Sequence, residues 1–133
     1  MRQTPTAFDL ERRYVQLQPD GQSRAWEPAE LWAAVAAGTL PAMPGGFGAL
    51  VGVFAYTADW DVWEMHPAGD EIVHLLEGEA TLLLELPDGM REVPLRPGET
   101  VIVPRGVWHS ARIHQPGRAL HVTPGEGTEH RPA

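Results

Sequence analysis

From Ala49 onward, apolar and polar positions alternate in short runs separated by clusters of Gly, Pro and Asp, at the spacing of about 8 to 12 residues that marks sandwiches and barrels. The runs are "ALVGVFAYT", "VWEMH", "EIVHLLEG", "EATLLLEL", "REVPL", "TVIVP", "HSARIH" and "RALHVT", and each reads as a strand. Turn signals fall at Pro67 to Asp70, Pro87 to Gly89, Arg96 to Gly98 and Gln115 to Gly117. Eight short strands with tight turns predict an all-β fold, an antiparallel double-sheet barrel of the jelly-roll type.

Upstream the period changes. "RRYVQLQPDG" predicts one strand, through Tyr14, Val15 and Leu17, that stops at Pro19-Asp20-Gly21 and serves as an arm or edge. "EPAELWAAVAAGTLP" predicts one helix over 28–37, with Pro28 in its first turn and Gly38 and Pro41 as stops. Leu31, Trp32 and Val35 are expected to face the core. "PAMPGGFG" is a loop, and the tail after Thr123, "PGEGTEHRPA", lacks periodicity and is expected to be extended or partly disordered. The organisation is one domain: an arm, helix and loop over 1–48, a barrel over 49–123 and a tail over 124–133.

Composition narrows the chemistry. The chain has 133 residues, enough for a single core. With no cysteine, any metal site must use nitrogen and oxygen donors. A net charge of -8, with ten scattered arginines as the only Lys or Arg, argues against a nucleic-acid partner. The N-terminus lacks an apolar signal region and nothing approaches a membrane span, so a cytoplasmic location without membrane partners is expected.

Ionisable residues concentrate in "WDVWEMHPAGDEIVHLLEG", residues 60–78. Residues i and i+2 of a strand share a face, so Glu64 and His66 point together, and Glu71 shares a face with Val73 and Leu75 while His74 points away. Were Glu71 inside the barrel, Glu64, His66 and Glu71 would converge. Such groups in an apolar interior cost several kcal/mol each unless paired or bound to a cation. Without a cation, Glu64 would pair with an arginine such as Arg105 or Arg112, and His66 would be a satisfied turn histidine. "PGETVIVPRGVWHSARI" adds His109, on a face shared with Ala111 and Ile113.

Together these residues resemble the cupin superfamily over about residues 49–123. The first cupin motif runs His-x-His, three or four residues, Glu, six residues, Gly; here it reads Glu64, Met65, His66, four residues, Glu71, six residues, Gly78. The second runs Gly, five residues, Pro-x-Gly, two residues, His, three residues, Asn; here it reads Gly98, five residues, Pro104-Arg105-Gly106, two residues, His109, three residues, Ile113. The resemblance implies a double-stranded β-helix barrel and carries over His66, Glu71 and His109 as metal ligands. Glu64 replaces the family's first histidine and Ile113 its asparagine.

Glu64 has two readings. As a ligand it makes a site of two histidines and two carboxylates, favouring Mn, Fe or Zn over Cu(I); outside the ligand set it leaves a two-histidine, one-carboxylate triad. The implied cofactor is a divalent transition metal, Fe, Mn, Zn or Ni. In an enzyme Glu64 would be ligand or general base, and the family analogy implies dioxygenation, isomerisation or decarboxylation of a small polar molecule. The alternative is a non-catalytic module that binds or senses a small ligand. Trp108, beside His109, is the tryptophan expected to touch substrate; Trp60 and Trp63 would line a mouth and Trp32 would pack helix to barrel. His121 is a candidate facing the substrate, Arg105 a candidate for orienting an anion, and His130 is expected to be solvated. In "TLLLEL", Leu82 and Leu84 share one face and Leu83 takes the other, which points to a homodimer.

Overall fold

The computed structural model describes residues 5–37 and 46–133. Its elements are β1 (Tyr14–Leu17), β2 (Ser23–Trp26), α1 (Pro28–Ala37), β3 (Ala49–Tyr56), β4 (Val62–Met65), β5 (Glu71–Leu86), β6 (Gly89–Leu95), β7 (Thr100–Val103), β8 (His109–Pro124) and β9 (Glu129–Pro132). All strand pairs are antiparallel, as the alternating pattern requires. One path runs β2-β1-β3-β8-β4-β9, and β5 joins it through β8 while also pairing with β6 and β7. This is the jelly-roll arrangement, and among the described residues the hydrogen-bonded path does not close on itself.

The largest departure from the expected elements is also what builds the site. The runs read as separate strands at 71–78 and 79–86 form one 16-residue strand, and those at 109–114 and 118–123 form another. The turn expected at Gln115-Pro116-Gly117 lies within β8. The two long strands run side by side, with register shifts from Leu75 to Ala80 where the ladder bends. Two glycines permit the bend. A Cβ on Gly78 (φ 88°) would lie 2.7 Å from the Gln115 carbonyl oxygen, and one on Gly117 would lie 2.0 Å from that of Glu77. The backbones approach too closely there for any side chain.

Inside the bend sits the apolar core, where Val73, Leu75, Leu82, Leu84, Leu95, Val103, Ala111 and Ala119 are all buried. The N-terminal segment makes a second cluster. β1 turns at Pro19-Asp20-Gly21 into β2, a strand that the polar run "SRAW" does not advertise, and β1 also pairs with β3. Trp26 donates from Nε1 to Gln16 Oε1 at 3.0 Å, and Gln16 Nε2 donates to the Phe47 carbonyl at 2.9 Å.

The helix occupies the expected residues but presents a narrower face. Leu31 is buried against Tyr14, Trp26 and Phe47, with Ala34 one turn on, whereas Trp32 and Val35 are 48% and 50% exposed. An Ala-rich helix is apolar nearly all round, so its sequence does not select the contacting stripe. The tail is corrected too: residues 129–132 form β9, paired with β4 from Val62↔Pro132 to Met65↔Glu129. The loop expected at 41–48 lies partly outside the described residues.

Candidate metal centre

Four ionisable side chains reach the same point from three places in the chain. Glu64 lies on β4 and His66 one residue past its end, two positions apart and so on one face. Glu71 opens β5 and His109 opens β8, directly across the ladder from Glu64. Along the β5–β8 ladder His109 pairs with Leu84, thirteen residues from Glu71. A flat strand would hold the two about 43 Å apart. Because both strands bend, His109 Nε2 lies 3.1 Å from Glu71 Oε1. The two turns beside these side chains are also tied together: Gly106 N donates to the His66 carbonyl at 3.0 Å, and Arg105 N donates to Asp70 Oδ1 at 2.8 Å.

His66 Nε2 lies 3.5 Å from Glu71 Oε2 and 3.8 Å from Glu64 Oε2, and His109 Nε2 lies 4.0 Å from Glu64 Oε2. His66, Glu71 and His109 are buried, while Glu64 is partly open. His109 donates from Nδ1 to the Val107 carbonyl at 3.0 Å, which leaves Nε2 as the lone-pair nitrogen of the neutral ring. His66 is oriented in the same way, through Nδ1 and Thr128 Oγ1 at 2.9 Å. Glu71 Oε2 accepts from Thr123 Oγ1 at 2.7 Å and faces His121 Nδ1 at 3.4 Å.

Those partners leave the inward atoms without hydrogen bonds. His66 Nε2, His109 Nε2 and Glu71 Oε1 are all buried with none. His109 Nε2 and Glu71 Oε1 lie close together but off the line of a hydrogen bond. Unpaired buried polar atoms cost about 1 to 3 kcal/mol each, and three at one point form a donor set for a cation. Glu64, His66 and His109 bring one donor atom each within 4.8 Å of one another, a group able to hold a metal ion. The residues therefore fit the metal that the motif implies.

Electrostatics match. Burial alone would push the Glu71 carboxyl up, but His109, His121 and His66 around it outweigh burial and hold it well below the usual carboxylate range. Burial likewise lowers His109, and the facing Glu71 carboxylate overcomes this and raises it. The Tyr56 hydroxyl is pushed far up by burial and by the charges of Glu64 and Glu71, so it stays protonated.

The family model described as "Cupin domain" matches residues 56–123, just over half of the chain. The chain is a cupin. Solved structures with the same fold include a cupin-2 domain containing protein from Shewanella frigidimarina, at 20% identity over 64% of this chain and 76% of that one, TM-score 0.50. Hydroquinone 1,2-dioxygenase from Sphingomonas sp. TTNP3 matches at 17% identity over 62% of each chain, TM-score 0.51. Oxalate decarboxylase matches at 14% identity over 64% of this chain, TM-score 0.52. The cupin spans less than two thirds of both enzymes, 62% and 24% of their chains, and at these identities the likeness is one of fold. No protein of curated function matches it.

A cavity of about 1010 Å³ opens beside this cluster and is lined by Glu64, His66 and Glu71 of the cupin. His121 lines it, with Nε2 2.9 Å from the Tyr56 hydroxyl. Trp108 and Arg105 do not. Trp108 lies beneath the Arg131 guanidinium, 4.5 Å from its ring centroid, and Arg105 is exposed in its turn. Trp60 takes the position beside the site, stacked on His121 at 6.2 Å between centroids. Glu64 meets neither Arg105 nor Arg112; its Oε1 faces His130 Nε2 at 3.2 Å, and Arg112 pairs with Glu92. His130 is exposed but engaged. Sequence reasoning passed over Thr123, Thr128 and Tyr56 and read His130 only as solvated. Thr123 was signalled by its i+2 relation to His121, whereas Thr128 and His130 sit in a tail with no pattern.

Proposed function

We propose that this cupin is a metal-dependent enzyme acting on a small molecule, with His66 Nε2, His109 Nε2, Glu71 Oε1 and Glu64 Oε2 as the donors. The observation that carries the reading is the set of three buried inward atoms without hydrogen bonds beside an open cavity. A divalent metal held there would supply Lewis acidity or a redox-active centre. The chain's own residues fix the rest. Val107 and Thr128 set the histidine rings, Thr123 and His121 orient Glu71, and His130 holds the outer oxygen of Glu64. Tyr56 and His121 form a hydrogen-bonded pair at the cavity wall, placed to hold a polar group of a bound molecule.

The cavity favours turnover over storage, since a purely structural metal site is closed on all sides. The test is elemental analysis and metal titration of wild type and His109→Ala. One metal per chain in wild type and none in the variant, with the variant's circular dichroism unchanged, is expected. Equal metal content in the two would overturn the site. Glu64→Gln separates its two roles: a loss of affinity beyond a few-fold marks a ligand.

A further inference from the structure

The cavity wall is rich in carboxylates. Among the described residues that line it there is no arginine, although the chain has ten. Carboxylates line it instead, with Asp59, Asp61 and Glu126 present besides the two at the donor set. Its histidines do not reverse that balance. His66 and His121 each lie beside Glu71, and His130 lies beside Glu64. The rest of the wall is apolar and aromatic, including Phe54, Trp60, Trp32 and Leu50.

The polar groups on this wall mostly accept hydrogen bonds. Glu71 Oε2, fixed as an acceptor by Thr123, faces His121 Nδ1, so that nitrogen carries the proton and Nε2 is bare. Tyr56 therefore donates its proton to His121 Nε2 and keeps only oxygen lone pairs for a ligand. A hydroxyl or an amino group donates to such acceptors.

We propose that the substrate is an aromatic or similarly apolar molecule that carries a hydroxyl or amino group and no negative charge. The proposal rests on the metal-centre reading for where the substrate reacts, but its charge follows from the wall. Carboxylates near a partly dry cavity repel an anion by an amount that corresponds to at least tenfold in affinity.

Calorimetric titration with benzyl alcohol, benzylamine and benzoate tests it, on protein stripped of metal and again on protein loaded with Zn2+. The metal-free arm is decisive, because a carboxylate can ligate the ion directly and mask the wall. Benzyl alcohol and benzylamine are expected to bind at least about tenfold more tightly than benzoate there. Benzoate binding as well as the alcohol, or no binding by any of the three, overturns the proposal. Ala58→Arg, which places a guanidinium on the exposed lip of the cavity, should raise benzoate affinity relative to benzylamine. Absence of Zn2+ binding with the charge preference intact would sink the metal reading alone. Stoichiometric Zn2+ with benzoate preferred in the metal-free protein would sink the charge preference alone.

Discussion

Glu71 and Leu82 lie on the same strand and are equally buried, each at 2% exposure, yet their burial has opposite energetic sign. Around Leu82 the second half of β5 contributes Ala80 and Leu84, packed with Leu95 and Ala111. Each leucine removed from water there stabilises the fold by about 2 kcal/mol. Glu71, by contrast, would cost several kcal/mol if left alone, and it persists because His109, His121, His66 and Thr123 surround it. The Leu82 end turns only core residues inward, whereas the Glu71 end adds a site residue to the core residues Val73 and Leu75. The fold can therefore be weakened at the Leu82 end without removing a site residue, and the site altered at Glu71 without removing a core residue.

The sharpest break is at the dry end. Leu82→Ala should lower the unfolding free energy by about 3 kcal/mol, from lost transfer and the cavity left behind, measured by chemical denaturation. The folded variant should still take up one metal per chain. Glu71→Gln is the mirror experiment: metal affinity should fall by at least about a hundredfold, more than loss of an outer partner costs. Its metal-free stability should change by less than that of Leu82→Ala. Were Leu82→Ala to abolish metal uptake while folded, the division between the two ends would be false.

Much of this division was readable in the alternation of residues. Glu71, Val73 and Leu75 face inward as a period of two requires, and His74 turns away to meet Thr100. The motif spacing singled out the four residues that the structure brings to one point. What the pattern could not convey was continuity. Gly78 looks like the end of a strand and Gln115-Pro116-Gly117 like a turn, and only the contact between the two backbones shows that they bend uninterrupted strands. Likewise Thr128 and His130 reach the site because β9 pairs with the free edge of β4, a long-range fact with no local signature. Trp108 is adjacent to His109 in sequence and for that very reason points to the other face, whereas Trp60 arrives from a separate loop.

Protons should distinguish the ends as well. Glu71 has a lowered pKa when folded, so its contribution to stability is present above about pH 4.3 and is lost only as the pH falls through its folded value. His109 has a raised one, so its contribution is complete below about pH 6.5 and is lost as the pH rises through its folded value. The metal-free protein should therefore lose stability on the alkaline side of about pH 6.5. Metal binding needs neutral His109, and its affinity should rise over that same interval. Thermal unfolding with and without Zn2+ should show a gap in midpoint that widens with pH in wild type and widens in the same way in Leu82→Ala. A constant gap would mean that His109 does not compete for the proton.

The smallest effect isolates the tail. Thr128 Oγ1 meets His66 Nδ1 at 2.9 Å and is supplied by the segment leading into β9. Thr128→Val keeps the shape and removes the hydroxyl, so the ring loses its orienting partner while Nε2 still faces the centre. Metal affinity should fall by about tenfold, the lower end of the range for outer partners, with no change in stoichiometry. Stability at the dry end should be untouched, because Leu82 and its neighbours make no contact through this hydroxyl. Removing residues 129–133 should produce a larger loss than Thr128→Val, since it also releases Glu64 from His130 and uncovers the edge of β4. An equal loss in both would show that β9 acts on the site through Thr128 alone.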